Sequence, residues 1–177
     1  MSDYTQKNIE HFDKRADSWD TPSHVEFSKN CSQAFLDADG FDWDPKSTVV
    51  LDFACGTGAN SSSQMLTIGL ISQGLLPHVH KAIGCDVSQG MVDVYNQKAS
   101  TNGFSDKMHA LCIDILSLPV SEIPQELQNV DAVVCSMSFH HIPDIDRLSQ
   151  VLASLLKKGG HLLVIDLLES PAVPILD

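Results

Sequence analysis

The sequence predicts an α/β fold built on a doubly wound, Rossmann-like and mostly parallel sheet. Short apolar runs recur along the chain without polar alternation, which is typical of strands buried on both faces. Segments long enough for helices separate these runs, and a glycine-rich turn, A-C-G-T-G, follows the first of them. Alternating strands and helices of this kind favour a parallel sheet covered on both sides.

The elements can be placed along the chain from these patterns. The predicted strands are the five apolar runs 47–53, 80–87, 108–116, 131–139 and 160–168. The predicted helices lie at roughly 61–75, 88–102, 121–128 and 144–157. The last carries an apolar stripe and is expected to stop at Gly159-Gly160, since glycine commonly ends helices. Residues 1–45 are expected to form an N-terminal helical extension in two pieces, with a break near Thr21-Pro22. Residues 46–177 are expected to form one domain.

Composition excludes several classes of partner. With a net charge of -12 and only 11 lysines and arginines, the chain would be repelled by nucleic acid and by anionic membranes. The first ten residues are polar, unlike a signal peptide, and no apolar run approaches the ~20 residues that cross a bilayer. The five cysteines are odd in number and contain no C-x-x-C pair. We therefore expect reduced thiols, a cytoplasmic location and no membrane insertion.

The turn after the first strand is a candidate ligand site. The strand ends in Asp52, and the chain then passes Ala54, Gly56 and Gly58. Glycines there let the backbone approach a ligand, and a following helix N-terminus offers free N–H groups. A dinucleotide turn and a merely tight strand–helix connection both remain open. The dinucleotide pattern G-x-G-x-x-G is broken, because Ala54 and Ser61 replace its first and third glycines.

Polar residues also follow the other strands. Asp86 ends the second strand, where a carboxylate can accept hydrogen bonds from both hydroxyls of a ribose. Asp114-Ile115 ends the third, a pair suited to the amine and the ring of an adenine. The fourth ends in the polar and aromatic segment S-M-S-F-H-H-I-P-D. Ligands of open α/β sheets bind beyond these carboxyl ends, so the positions agree with the glycine turn.

Together these segments resemble class I S-adenosylmethionine-dependent methyltransferases, of the small-molecule branch that includes the ubiquinone and menaquinone biosynthesis enzymes. The matching pieces occur in family order over about 47–168: L-D-F-A-C-G-T-G, G-C-D-V-S-Q-G-M-V, C-I-D-I-L, D-A-V-V-C-S-M-S-F-H-H-I-P-D and L-L-K-K-G-G-H-L-L-V-I-D. H-F-D-K-R-A-D-S-W-D, near the N-terminus, resembles the family's lid helix. The resemblance implies a sheet of order 3-2-1-4-5, S-adenosylmethionine as cofactor and no metal.

The resemblance also implies a role for individual residues. Those expected to line the cofactor's methionine part are Asp52, Ala54, Gly56 and Gly58. The ribose and adenine contacts are expected from Asp86, Val87, Met91, Asp114 and Ile115. Residues expected near the sulfonium and acceptor are Cys135, Ser136 and His140, with Trp19 in the lid.

Methyl transfer from a sulfonium needs alignment, desolvation and, for an oxygen acceptor, a base. His140 and His141 are the candidate bases, because imidazole titrates near neutral pH. The structural alternative is that one of the two packs at the strand end while the other faces solvent.

The chain departs from the family pattern in two segments. Residues 59–69 read as an insertion between the glycine turn and a helix at 70–79. Two alternatives stay open: Asn60 or Ser61 caps a longer helix containing Gly69 and Gly74, or the segment is an artefact of the coding sequence. The chain also stops after the fifth strand, where the family continues with a helix and an antiparallel strand pair. That strand is expected to be an exposed edge through which the chain can form a homodimer.

Three functions follow as hypotheses. The first is methyl transfer to a small-molecule acceptor, at oxygen or carbon. The second is a truncated, non-catalytic domain that binds the cofactor weakly or binds a partner chain. The third is an NAD-dependent oxidoreductase.

Overall fold

A computed structural model describes residues 3–18, 21–57 and 71–167. These residues form a five-stranded sheet in the order β3-β2-β1-β4-β5, and every neighbouring pair of strands is parallel. The strands are β1 Val49–Phe53, β2 Lys81–Asp86, β3 Met108–Cys112, β4 Val130–Ser136 and β5 Leu156–Ile165. The predicted fold class and strand order are confirmed.

Helices cover both faces of the sheet. They are α1 Asp3–Asp13, α2 Pro22–Leu36, α3 Ile71–Leu75, α4 Gln89–Thr101 and α5 Ile145–Leu155. One buried core cluster lies between the sheet and α2, α3 and α4, and it includes Phe35, Leu75 and Tyr95. The second lies between the sheet and α5, and it includes Leu51 and Leu152. The strands are therefore apolar on both faces, as their unbroken apolar runs predict.

The N-terminal extension packs onto the domain. The predicted break near Thr21-Pro22 is the start of α2, where Thr21 Oγ1 accepts a hydrogen bond from the His24 N–H and proline occupies the first turn. The helix α1 lies against α4, and α2 lies against α3. Gly74 permits the second contact, because a Cβ there would lie 2.6 Å from the Ser32 Cβ.

Two predicted helices are corrected. The segment 121–128 forms two 3-10 turns, Val120–Glu122 and Gln125–Leu127, and no α-helix. Pro124 lies between them and cannot donate the backbone hydrogen bond that a continuous helix requires.

The helix predicted at 144–157 begins at the expected place but ends early. Asp144 caps it by accepting a hydrogen bond from the Arg147 N–H at 2.9 Å. It ends at Leu155 and not at the glycine pair, because Leu156 is already extended and pairs with Val130 in the sheet. Gly159 takes a φ of +82° within the irregular first part of β5.

The helix predicted at 61–75 is described only from Ile71, as α3 followed by a 3-10 turn to His78. The insertion at 59–69 and its alternatives lie outside the described residues. Among the residues that are described, β5 is one edge of the sheet, and the homodimer through it stays a prediction. No helix in the described part of the chain is long and apolar enough to span a bilayer.

At the other edge of the sheet, a side chain forms hydrogen bonds with the backbone of β3. The Asn96 amide of α4 donates to the Ala110 carbonyl at 2.9 Å and accepts from the Ala110 N–H at 2.8 Å. This pair of bonds imitates the next strand of a ladder. It ties α4 to the strand that leads into Asp114.

Replacing Asn96 by alanine should lower the free energy of unfolding by about 1–3 kcal/mol, because it leaves both backbone groups of Ala110 without their partner. Urea denaturation measures the change. Gln97→Ala, at an exposed position of the same helix, is the matched control and should change stability by less than about 0.5 kcal/mol. Equal effects of the two substitutions would show that the edge bonds contribute nothing.

Candidate functional site

A cavity of about 1000 Å³ opens at the carboxyl ends of the strands. It lies where the strand order reverses between β1 and β4, the switch point at which open α/β sheets bind ligands. Its volume is at the upper end of the roughly 300–1,000 Å³ usual for small-molecule sites. The cavity therefore has room for more than one small ligand.

Most of the residues predicted for the site line this one cavity. The lining includes Asp52, Ala54, Gly56, Asp86, Val87, Met91, Asp114, Ile115, Ser136, His140 and His141. Gly58 and Trp19 lie outside the described residues. Cys135 is fully buried in the core and does not line the cavity. Its side chain packs in the core cluster on the α5 side of the sheet, whereas the next residue of β4, Ser136, reaches the cavity.

Asp86 fixes the glycine turn. Its Oδ2 accepts a hydrogen bond from the Gly56 N–H at 2.9 Å, and its Oδ1 accepts one from the Ser88 N–H at 2.9 Å. The carboxylate thus joins the end of β2 to the turn after β1 and to the start of α4. Each oxygen has further lone-pair capacity, so the side chain can still accept from a ligand hydroxyl.

The turn itself leaves space for a ligand. Gly56 has a φ of +58°, and a Cβ placed on it would meet nothing within 4 Å. Two non-glycine residues at neighbouring strand ends, Ala54 and Met137, also have a φ of +56°. Such strained backbone persists only where surrounding structure fixes it, and it is concentrated at binding sites.

Asp52 is buried at the floor of the cavity, with 2% of its surface exposed. The Ser72 hydroxyl donates a hydrogen bond to its Oδ2 at 2.6 Å. Burial raises the pKa of Asp52 to about 7, and that hydrogen bond lowers it only in part. A cationic group bound nearby would favour the ionised form of this carboxyl.

Asp114 and Ile115 follow β3 and bound another part of the cavity. The Leu116 N–H donates to the Asp114 carboxylate at 3.2 Å, and Ile115 is 1% exposed. Across this region the Arg147 guanidinium donates to the Leu116 carbonyl at 2.8 Å. Arg147 is the only lysine or arginine among the described lining residues. The cavity therefore has many acceptors and little positive charge.

The helix α1 forms part of the cavity wall. Thr5, Asn8 and Phe12 contribute to the lining. The Asn8 amide donates to the His141 carbonyl at 3.4 Å, and the Phe12 ring meets the His141 ring edge-on at 5.6 Å. At the far end of α1, Asp13 accepts hydrogen bonds from the Ser88 hydroxyl and from the Gly90 N–H. The helix α1, termed the lid helix, is thus held on both sides of the cavity. The segment that resembles the family's lid, 11–20, overlaps α1 only at 11–13, and its role as a lid stays a prediction.

The two candidate bases have different surroundings. Partial burial and the neighbouring His140 lower the pKa of His141, which packs against the lid. The His140 Nδ1 lies 2.6 Å from the Asp166 Oδ1. Asp166, which the sequence interpretation did not assign, is a fifth-strand counterpart of the other strand-end aspartates. Applying the strand-end rule to L-L-V-I-D would have found it.

Four further lining residues, Asn8, Phe12, Met137 and Arg147, were not assigned individually. Phe12 and Met137 belong to segments that the sequence patterns had singled out, H-F-D-K-R-A-D-S-W-D and S-M-S-F-H-H-I-P-D. Asn8 and Arg147 stand in neither a glycine turn nor a strand end, so no pattern indicated them. In the described part of the chain, no group of three or more His, Cys, Asp or Glu side chains could hold a metal ion.

Comparisons with known proteins agree with this geometry. A family model described as methyltransferase domain matches residues 50–160. An uncharacterized methyltransferase of Schizosaccharomyces pombe is 33% identical over 96% of this chain and 67% of its own length. A ubiquinone biosynthesis O-methyltransferase of Coxiella burnetii is 28% identical, over 64% of this chain and 41% of its own length.

A solved structure also shares the fold. The magnesium protoporphyrin IX methyltransferase of Synechocystis, determined with bound S-adenosylmethionine, superposes with a TM-score of 0.61 at 19% identity. The match covers 89% of this chain and 74% of that one.

Replacing Asp52 by asparagine should stabilise the protein increasingly as the pH rises. The folded protein keeps the Asp52 proton up to pH about 7, whereas the unfolded chain loses it near 3.8. The burial of Asp52 therefore lowers the free energy of unfolding progressively as the pH rises from 3.8 to about 7. Above pH about 7 the penalty stays constant, at up to about 4 kcal/mol. Asparagine stays neutral and can still accept the Ser72 hydrogen bond.

The measurement is denaturant unfolding of both proteins at pH 5 and pH 8. The advantage of Asp52→Asn should be larger at pH 8. Asp39→Asn, at an exposed position, is the control and should show no such trend. An advantage independent of pH would contradict the buried, protonated state of Asp52.

Proposed function

The chain belongs to the class I S-adenosylmethionine-dependent methyltransferases, and on that basis we propose that it transfers a methyl group from this cofactor to a small-molecule acceptor at oxygen or carbon. The observation that carries the proposal is the single cavity in which Asp52, Gly56, Asp86 and Asp114 meet. When bound, the cofactor supplies an activated methyl group on its sulfonium. The protein supplies alignment, exclusion of water and proton handling.

The residues present fit this cofactor. The open space beside Gly56 admits a ligand backbone against the turn, where we assign the methionine part together with Asp52 and Ala54. A cofactor that carries an ammonium and a sulfonium suits a floor made of carboxyls. A pyrophosphate does not suit it, because Arg147 is the one basic side chain of the described lining that is permanently charged. A cavity with several carboxyls and one permanently charged basic side chain in its described lining favours S-adenosylmethionine over NAD.

The ribose and adenine are assigned along the neighbouring strand ends. The Asp86 carboxylate, held by two backbone N–H groups, would accept from the ribose hydroxyls, with Val87 and Met91 packed beside it. The Asp114 carboxylate would accept from the adenine amine, and Ile115 would pack on the ring. Ser136 would lie near the sulfonium.

The remaining part of the cavity would hold the acceptor. Its walls are Phe12 and Phe27 from the N-terminal helices and Met137 and Ile142 from the β4–α5 connection, so they are largely apolar. Such walls suit a small, partly apolar molecule. Relatives named for ubiquinone and demethylmenaquinone methylation support this class of acceptor. His140 and His141 lie in this part of the chain and are the candidate catalytic residues.

The experiment that tests the proposal is a methyl-transfer assay of the purified chain, in which S-adenosylhomocysteine release is measured over a panel of small phenols, enols and activated carbon acids. Release of S-adenosylhomocysteine that depends on one class of acceptor supports the proposed methyltransferase activity. Cofactor binding without release for any acceptor favours the non-catalytic alternative. Reduction or oxidation of NAD in its place would support the oxidoreductase.

Replacing Asp86 by alanine should weaken the binding of S-adenosylhomocysteine by about 1–3 kcal/mol, because it removes a charge-assisted acceptor for the ribose and releases the Gly56 N–H. Calorimetric titration measures the affinity, and circular dichroism checks that the variant is folded.

Asp93→Ala is the matched control. Asp93 lies on the exposed side of α4, where it accepts a hydrogen bond from Gln89. Its replacement should leave the affinity unchanged. An Asp86→Ala affinity equal to that of the natural chain would mean that the ribose site is assigned wrongly.

A further inference from the structure

The carboxyl ends of β4 and β5 bring a histidine and an aspartate together. His140 lies in the 3-10 turn Phe139–His141 that follows β4, and Asp166 directly follows β5. Because the two strands are parallel neighbours, both residues reach the same edge of the sheet. The His140 Nδ1 and the Asp166 Oδ1 are 2.6 Å apart.

The position of the Asp166 carboxylate is fixed by backbone groups. Its Oδ2 accepts from the Phe139 N–H at 2.7 Å, and its Oδ1 accepts from the Leu167 N–H at 2.7 Å. These bonds and His140 hold the pKa of Asp166 below its ordinary value, against the opposing effect of partial burial. An ionised carboxylate only accepts hydrogen bonds, so the His140 Nδ1 must be the donor.

With its proton on Nδ1, a neutral imidazole presents Nε2 as an unprotonated acceptor. The His140 side chain is 33% exposed and lines the cavity, whereas Asp166 is 13% exposed and does not line it. The carboxylate therefore lies behind the imidazole, on the side away from the ligand space. His141 is turned toward Phe12 of the lid and has no such partner among the contacts described for it.

We propose that Asp166 is a positioning residue that holds His140 in the Nδ1–H tautomer, so that Nε2 acts as general base toward a hydroxyl acceptor. This inference rests on the proposed function and narrows it to oxygen methylation. The acceptor O–H bond breaks and its proton passes to Nε2. The oxygen forms its bond to the methyl carbon, and the electron pair of the broken carbon–sulfur bond stays on sulfur. The imidazolium is stabilised by Asp166 until it releases its proton to water.

The first test needs no turnover. In the ¹⁵N-labelled chain, histidine side-chain correlations should show neutral His140 protonated at Nδ1, with the resonance assigned through His140→Gln. Asp166→Ala should return His140 to a mixture of tautomers and leave unchanged the signal of His109, which pairs with Glu126 outside the cavity lining and is the internal control. His140 protonated at Nε2 in the natural chain, or unaltered in Asp166→Ala, would overturn the proposal.

The second test is kinetic and uses Asp166→Asn. Its kcat for a hydroxyl acceptor should fall by about 10²-fold or more with little change in KM, since general-base catalysis contributes on that order. The loss should shrink as the pH approaches the acceptor's own pKa, because an ionised oxygen needs no base. A purely structural role would give the same loss at every pH.

Glu126→Gln is the matched control, because Glu126 forms another histidine–carboxylate pair, with His109, at 2.7 Å and outside the cavity lining. It should leave kcat and its pH profile unchanged. If the natural chain methylates no hydroxyl acceptor, the proposed oxygen methylation and the general-base role of His140 are both overturned. Methylation with an unaltered profile in Asp166→Asn would overturn the positioning role alone.

Discussion

The ligand cavity depends on the two hydrogen bonds that the Asp86 carboxylate accepts from backbone N–H groups. Through them the end of β2 holds the turn after β1 in the conformation that keeps Gly56 open to the cavity. The same carboxylate holds Ser88, whose hydroxyl caps α4 and binds Asp13 of the lid helix. One side chain thus connects the turn, the sheet and the lid. Its charge remains available to a ligand because it is satisfied by neutral donors and not by a lysine or arginine.

The site divides into two parts with different chemistry. Around Asp52, Asp86 and Asp114 it offers acceptors and carboxyls, which suits a cationic, hydroxyl-rich ligand. Between the N-terminal helices and the β4–α5 connection it offers aromatic and apolar walls with His140 at one side. Methyl transfer requires two ligands to meet with little water between them. The lid helix α1 is held at Asn8 and at Asp13, and its Asn8 and Phe12 side chains line the same cavity.

Sequence patterns predicted the fold and most of the residues that meet in one cavity, because both depend on local rules. Buried parallel strands have unbroken apolar runs, and ligand groups follow the carboxyl ends of such strands. Helix boundaries that are set by competing contacts were less predictable. The helix α5 was expected to end at the glycine pair 159–160, but it ends at Leu155 because Leu156 already pairs with β4. Side-chain direction was also missed, as for Cys135, which faces the core. The pairing of His140 with Asp166 depends on the neighbouring positions of β4 and β5, which no local pattern contains.

The most direct test of the central claim, that the strand-end cavity is an S-adenosylmethionine site, is calorimetric titration of the natural chain with S-adenosylhomocysteine and, separately, with NAD. We expect binding of S-adenosylhomocysteine at one site with a Kd on the order of micromolar and no heat of binding for NAD. A folded sample that binds NAD, or that binds neither ligand, would contradict the claim.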